Sequence, residues 1–121
     1  MTGGLVQVPA LDRLVHEPAR LAILSALSAV DEADFNYLLA ALGLSRGNLS
    51  SHVTKLAEAG YLIVTKQFTG NMPNTSYSLT PEGQAALDNY WEQIDALRGA
   101  AEQPGVVLAR SGSAEDPGGG E

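Results

Sequence analysis

The clearest hydrophobic pattern lies between Phe35 and Tyr61, where two short amphipathic segments follow one another. The first has apolar residues at i, i+3, i+4 and i+7, the spacing of one buried helix face: Phe35, Leu38, Leu39 and Leu42. Gly43 ends this segment, Ser45 is the predicted N-cap of the next, and Gly60 is its C-terminal stop. The second apolar stripe is Leu49, Val53, Leu56 and Ala57. The pattern predicts two helices joined by a tight turn.

The outward face of the second helix, residues 45–60, is small and polar. At about 100° per residue, the positions opposite its apolar stripe are Gly47, Asn48, Ser51, Thr54 and Lys55. Any surface helix is polar outside, but a helix entering the major groove also needs small side chains, so that its backbone comes close to the bases. The residues predicted to read bases are Asn48, Ser51 and Thr54. The residues of this helix predicted to contact phosphates are Arg46, Ser50 and Lys55.

A β-hairpin is predicted directly after this helix, over residues 61–80. The run YLIVTKQF is rich in β-branched and aromatic residues, and after TGNMPN the segment TSYSL alternates apolar and polar positions. The turn residues at the tip are Gly70, Asn71, Pro73 and Asn74. Two helices followed by a hairpin form a winged helix-turn-helix, with the hairpin as its wing. We expect Lys66 to contact a phosphate, and the wing to approach DNA through Asn71, Asn74 and Thr75.

Amphipathic segments also precede and follow this unit. The preceding segment predicts a short helix around Leu11 and Leu14, then a helix starting at Pro18. The core contacts expected from that second helix are Ile23, Leu24, Leu27 and Val30. Arg20, near its start, would either reach a DNA phosphate or form a surface ion pair with an acid such as Glu17.

Thr80 is the predicted N-cap of the last helix, whose apolar residues recur at spacings of three and four. This seam either covers the domain's own core or packs on a second subunit, and we favour the second. The residues predicted to form a dimer interface are Leu11, Leu14, Leu87, Tyr90, Trp91, Ile94 and Leu97.

Three segments together carry a family resemblance: LDRLVHEPARLAILSAL, GLSRGNLSSHVTKLAEAGYL and TSYSLTPEGQAAL. They resemble winged-helix transcriptional regulators of the MarR and ArsR kind, in particular the small "winged helix DNA-binding domain" regulators. The resemblance spans Leu11 to about Leu97. It implies a homodimeric, sequence-specific protein that binds double-stranded DNA. The predicted fold class is mainly α with a small β-hairpin (α+β), with N- and C-terminal helices forming the dimer interface.

Length and composition fit one small domain. The chain has 121 residues, of which 45% are hydrophobic, and we assign residues 1–98 to the DNA-binding and dimerisation domain. Residues 99–121, rich in glycine and acidic residues, are predicted to be a disordered tail. There is no cysteine, which excludes disulfides and thiolate metal sites. Because no signal peptide or membrane span is recognisable, we expect a cytoplasmic protein without membrane contact.

The charge is distributed unevenly along the chain. The formal net charge is −7, which opposes binding to DNA phosphates. Residues 43–80, however, carry three basic residues against the single acid Glu58, a balance of +2. Residues 81–121 carry eight acids against two arginines, a balance of −6. The acidic residues are therefore concentrated outside the predicted reading helix and wing, although the wing tip TGNMPN has no basic residue.

The residue inventory does not favour an enzyme. His16 and His52 are the only histidines, and no spaced ligand set or nucleophile motif accompanies them, so we predict no metal, no cofactor and no catalysis. We predict a homodimeric transcriptional repressor on a pseudo-palindromic operator. Two alternatives stay open. One is a winged helix used for protein contact, as in an antirepressor. The other is a regulator with a small-molecule effector, bound in an apolar cleft at the dimer interface that Tyr90, Trp91 and the N-terminal helix would line.

Overall fold

The computed structural model describes residues 11–101, which contain four helices and three strands. In chain order they are α1 (Pro18–Ser28), β1 (Ala33–Asp34), α2 (Phe35–Leu42), α3 (Arg46–Glu58), β2 (Leu62–Thr69), β3 (Met72–Leu79) and α4 (Pro81–Ala101). The strands form one antiparallel sheet in the order β1-β3-β2. This arrangement confirms the predicted α+β winged helix. No helix in residues 11–101 is long and apolar enough to cross a lipid bilayer.

The core lies where α1, α2 and α3 pack on one another. Its largest fully buried side chains are Ile23, Leu24, Leu27, Leu38, Leu49, Leu56 and Val15. Each helix contributes part of its predicted apolar face, because residues at spacings of three and four share one side of a helix. On α2 only Leu38 is buried, and the rest of the predicted face is half-buried: Phe35, Leu39 and Leu42. The core contact predicted for Val30 is wrong. Helix α1 ends at Ser28, and the Val30 side chain beyond it is 42% exposed.

Local capping fixes the turn between α2 and α3. The Asp34 side chain caps α2 by accepting a hydrogen bond from the Tyr37 N–H at 2.7 Å. Gly43 ends α2 with φ of +67°, a left-handed conformation that side chains other than glycine rarely adopt. Ser45 then caps α3 by accepting from the Asn48 N–H at 3.2 Å. The predicted boundaries of this turn are confirmed.

The hairpin is longer and its turn shorter than predicted. β2 and β3 pair continuously from Leu62 opposite Leu79 to Thr69 opposite Met72. Only Gly70 and Asn71 are left in the turn, with Gly70 at φ +66°. Pro73 and Asn74, expected in the loop, are paired residues of β3. β1 was not predicted, since two residues are too few for alternation to show, and it exists by pairing with β3.

The junction of α3, β2 and α4 is closed by a compact set of contacts among Tyr61, Thr80 and Gly83, which we call the α4 clasp. Thr80 Oγ1 donates to the Gly60 carbonyl at 2.7 Å and accepts from the Gly83 N–H at 2.9 Å. The Thr80 N–H donates to the Tyr61 carbonyl at 3.0 Å. A Cβ at Gly83 would lie 2.4 Å from that same carbonyl oxygen. Thr80 is the predicted N-cap, and glycine is required three residues later by this close approach.

The segment before α1 is a turn, so the short helix predicted around Leu11 and Leu14 is wrong. Its Asp12 carboxylate is held from both sides. One oxygen accepts from the Leu14 N–H at 2.9 Å, and the other accepts from the Tyr61 hydroxyl at 2.7 Å. The His16 N–H donates to the Asp12 carbonyl at 2.7 Å, which closes one turn that does not continue as a helix.

The N-terminal part of α4 belongs to the same compact unit as the core, whereas residues 93–101 form a separate one. Within residues 93–101, Asp95 and Arg98 form an exposed ion pair of 2.7 Å one turn apart. The helix continues to Ala101, past the predicted start of the tail at Gly99. The rest of the predicted tail, residues 102–121, lies outside the described residues.

Candidate nucleic-acid interface

The outward face of α3 is a strip of small polar side chains. Asn48, Ser51 and Thr54 are exposed, as predicted for base reading, and Gly47 lies among them without a side chain. Within residues 11–101 the side chains of these three polar residues form no hydrogen bond with any other group. Their donors and acceptors are therefore available to a partner that approaches the helix.

The outward face divides into two sides by helix geometry. Ser51 lies nearly opposite the buried Leu49 and Leu56, so it occupies the centre of the strip. Asn48 and Lys55 lie on the side away from the wing. Ser50 and Thr54 lie on the other side, where they line a cleft shared with the wing.

That cleft, between α3 and the wing, has a volume of about 530 Å³. Its apolar lining comes from Phe35, Val53, Ala57, Val64 and Tyr77, and its polar lining from Ser50, Thr54, Glu58, Lys66 and Thr75. Burial raises the pKa of the Tyr77 hydroxyl, so this group stays neutral at physiological pH. The cleft places Lys66, Thr75 and the outward face of α3 around one concave surface.

All four predicted phosphate contacts have exposed side chains, and two of them, Ser50 and Lys66, line this surface. Arg46 lies at the first turn of α3 with its guanidinium 5.2 Å from the centre of the Phe35 ring. This cation–π contact orients the charge while leaving its hydrogen-bond donors accessible. Lys55 and Lys66 lie on α3 and β2, respectively. The acid Glu58 also lines the cleft and opposes these charges.

The wing residues separate by strand alternation. Thr75 pairs with Lys66 and lines the cleft on the α3 side. Asn74, the preceding residue, is half-buried on the opposite face of the hairpin. Asn71 is exposed in the turn. The geometry therefore favours Thr75 and Asn71 over Asn74 as wing contacts. Phe68, which the sequence reasoning missed, is 73% exposed near the tip.

Behind α3, Arg20 connects the helix to the chain's N-terminal turn. Its Nε donates to the Leu14 carbonyl at 2.7 Å, and its Nη1 donates to His52 Nδ1 at 3.2 Å. The expected ion pair with Glu17 is wrong: the Glu17 carboxylate accepts from the Arg20 backbone N–H and caps α1. That hydrogen bond is the main cause of the lowered pKa of Glu17. Arg20 and His52 thus position α3 from its inner side.

Two residues predicted for the dimer interface are buried within the chain itself, and this part of the prediction is wrong. Leu87 and Tyr90 are 2% and 5% exposed. The Tyr90 hydroxyl lies 2.7 Å from His16 Nδ1, a partner in the N-terminal turn. Tyr90 is therefore not free to line the predicted ligand cleft. Trp91, packed edge-on against Tyr90 with ring centres 5.4 Å apart, is 43% exposed. Leu11 and Leu14 are half-buried in the turn, and Ile94 and Leu97 lie further along α4.

Comparisons with known proteins agree with this geometry. Residues 19–97 match the family described as the winged helix DNA-binding domain. An uncharacterized protein of Methanocaldococcus jannaschii is 32% identical over 82 residues, covering 68% of this chain and 89% of that protein.

Two solved structures illustrate the likeness in fold. A transcriptional regulator homologue from Pyrococcus horikoshii OT3 has a TM-score of 0.70 at 24% identity, covering 76% of this chain and 91% of that one. A MarR-family transcriptional regulator from Rhodococcus sp. RHA1 has a TM-score of 0.60 at 19% identity, covering 76% and 64%. The chain belongs to the winged helix DNA-binding domain family and has the fold of the MarR-type transcriptional regulators.

Proposed function

We propose that this protein is a homodimeric transcriptional repressor that reads a pseudo-palindromic operator. Each α3 would enter a major groove, with the two half-sites about one helical turn apart. The base-reading residues are Asn48, Ser51 and Thr54. The phosphate contacts are Arg46, Ser50, Lys55 and Lys66, and the wing contributes Asn71 and Thr75 at the neighbouring backbone or minor groove.

The observation that carries this proposal is the strip of small, exposed and unbonded polar side chains on α3. A buried or packed helix face would have its polar groups satisfied within the chain. Here the Asn48 side-chain amide can form two hydrogen bonds with one adenine, as donor and as acceptor. Gly47, which has no side chain, lets the helix backbone approach the groove. The concave surface shared with the wing then adds contacts on one side of the helix.

The charge distribution supports DNA as the partner despite the acidic chain. Three basic residues and one acid lie between residues 43 and 80, so the reading surface is locally positive. So few cations neutralise few phosphates. Each neutralised phosphate contributes about −0.9 to the slope of the logarithm of the DNA-binding constant against the logarithm of salt concentration. The proposal therefore implies a shallow salt dependence and a large share of binding from base and groove contacts.

The dimer is proposed on the exposed part of α4. Trp91 is a large aromatic side chain on α4 that is 43% exposed. Contact with a second copy would bury this surface and set the spacing of the two reading helices. Sedimentation of the protein, compared with a Trp91→Glu variant, measures this directly. A monomeric wild type contradicts the dimer.

The first test is a selection against random duplex DNA, followed by titration of the selected site. We expect a palindromic consensus. Asn48→Ala should weaken binding to that site by about 1 to 3 kcal/mol, because a bidentate base contact is lost. Binding to random duplexes should stay unchanged, because Asn48 carries no charge.

The matched control is Asn89→Ala, which removes the same amide from an exposed position on α4. It should bind the selected site like the wild type. Equal weakening by Asn48→Ala on selected and random DNA would reject base reading by this residue. Absence of any enriched sequence at low salt would favour the protein-contact alternative instead. A small-molecule effector stays a prediction, which quenching of Trp91 fluorescence by candidate ligands would test.

A further inference from the structure

The wing carries an exposed aromatic ring on the same side as the reading helix. In the hairpin, Lys66 pairs with Thr75 and Phe68 pairs with Pro73. Lys66 and Thr75 line the cleft toward α3. Since side chains two residues apart share one face of a strand, Phe68 and Pro73 continue that face outward, beyond the cleft. Phe68 is 73% exposed there.

The chemistry around Phe68 is uncharged. No acidic or basic residue occurs between Gln67 and Pro81, so Lys66 is the only charge of the hairpin. A wing that binds through phosphates needs cations near its tip, and this one has none. The outer wing instead presents a planar apolar ring next to a proline. Removing such an apolar surface from water is favourable. A DNA groove can bury the ring, whereas charged phosphate oxygens cannot, so we expect it to contact a groove.

We propose that Phe68 is a specificity-determining residue, whose ring packs into the DNA minor groove beside the major groove occupied by α3. This inference rests on the proposed function. An apolar side chain in the minor groove contacts sugars and base edges and partly unstacks a base step. Pyrimidine–purine steps such as TA unstack most easily. Phe68 therefore selects operators with a deformable step at the flank, which the wing reads by shape.

DNA is favoured as the occupant because the ring is continuous with the reading surface. Phe68 shares its face with Lys66 and Thr75, which border the same cleft as Ser50 and Thr54 of α3. A duplex lying across α3 would reach the outer wing on this face. Met72 is equally exposed, at 70%, but strand alternation places it on the opposite face. Phe68 and Met72 are therefore equally exposed, but only Phe68 lies on the hairpin face that a duplex bound to α3 would contact.

The test compares Phe68→Ala with Met72→Ala on the selected operator. Phe68→Ala should bind about tenfold more weakly, because the variant loses the free energy of burying part of one aromatic ring in the complex. Its salt slope should equal that of the wild type, because no charge is lost. Met72→Ala should bind like the wild type. Both side chains are exposed, so the thermal midpoints of the two variants should match that of the full-length wild type.

A second measurement tests the shape readout. Two duplexes are made from the selected operator, one with TA and one with AA at the flank beside the wing, and each protein is titrated against both. The wild type should prefer the TA duplex severalfold, and Phe68→Ala should lose that preference. The assignment would be overturned if Phe68→Ala bound the operator with wild-type affinity, or if Met72→Ala weakened binding equally. It would also be overturned if Phe68→Ala kept the wild-type preference for the TA duplex. Failure of the proposed function would be distinguishable. The wild type would then select no DNA site, and Asn48→Ala would bind DNA no differently from the wild type.

Discussion

The α4 clasp and the outward face of α3 use their polar groups in opposite ways. In the clasp, the Thr80 hydroxyl donates and accepts at once, and the Tyr61 carbonyl accepts from the Thr80 N–H. On α3, Asn48 and Ser51 have side chains with no intramolecular partner among the described residues. The polar groups of the clasp are hydrogen-bonded within the chain, whereas the polar side chains on the outward face of α3 are not.

The difference separates stability from recognition. A group that is bonded inside the chain contributes to folding and is costly to remove, because its buried partner is left unpaired. A group that faces water contributes little to folding and retains its bonding capacity for a partner. Substitutions in the clasp should therefore lower the free energy of unfolding. Substitutions on the outward face of α3 should change DNA affinity and leave the free energy of unfolding unchanged.

The largest expected effect is that of Gly83→Ala in the clasp. The added Cβ would lie 2.4 Å from the Tyr61 carbonyl oxygen and 2.8 Å from Leu79 Cδ1. Because backbone is one of the obstacles, the start of α4 must shift, and we expect a loss of about 2 to 3 kcal/mol in the free energy of unfolding. Urea denaturation followed by circular dichroism measures this loss.

The control is Gly99→Ala, in the same helix. A Cβ at Gly99 meets no atom within 4 Å, and alanine favours a helix interior. This variant should be as stable as the wild type or up to about 1 kcal/mol more stable. Equal destabilisation by both variants would show that close packing at Gly83 does not explain its requirement.

A smaller effect is expected from Glu58→Gln on the reading surface. Glu58 is the one acid among residues 43–80, and it lines the cleft with Lys66. Removing its charge should raise affinity for both selected and random DNA by about two- to fivefold at low salt, and less at high salt. Fluorescence anisotropy at two salt concentrations measures this change.

Glu92→Gln is the matched control, because it alters the net charge equally from an exposed position on α4. It should leave DNA affinity nearly unchanged. If both variants tightened binding alike, the effect would come from the overall charge of the chain. The reading surface would then have no special role in that effect.

The elements built from local signals could be predicted from the sequence. α2 and α3 were predicted because their apolar stripes, the Ser45 cap and the Gly43 stop all lie within a few residues of one another. The exposure of Asn48, Ser51 and Thr54 follows from the same periodicity. β1 could not be predicted, since Ala33 and Asp34 are a strand only through pairing with Tyr77 and Ser76.

The errors arose where a distant partner decides between two structures. Tyr90 has the spacing of an interface residue, but its hydroxyl lies beside His16 of the N-terminal turn and its ring is buried within the chain. Nothing in the spacing of α4 distinguishes these outcomes. On the wing, the face on which Asn74 or Thr75 lies depends on the hairpin register. The register follows from a two-residue turn, whereas a longer loop was predicted.

A pH dependence is also expected, in the contact between Tyr61 and Asp12 beside the clasp. The Tyr61 hydroxyl donates to the Asp12 carboxylate, and this bond is the main reason that its pKa rises from 10 to about 12. A pKa raised by folding stabilises the protein fully below the unfolded value and loses this contribution as pH rises through the folded value. Wild type should therefore exceed Tyr61→Phe in unfolding free energy at pH 8, by about 1 kcal/mol.

That difference should shrink between pH 10 and pH 12, because ionised Tyr61 would repel Asp12 instead of donating to it. Tyr77, whose pKa is also raised, is present in both proteins, so its titration cancels in the comparison. Urea denaturation of the two proteins across this range makes the measurement. A difference that stays constant to pH 12 would mean that the hydroxyl is not donating to Asp12, and that packing alone holds Tyr61 against the N-terminal turn.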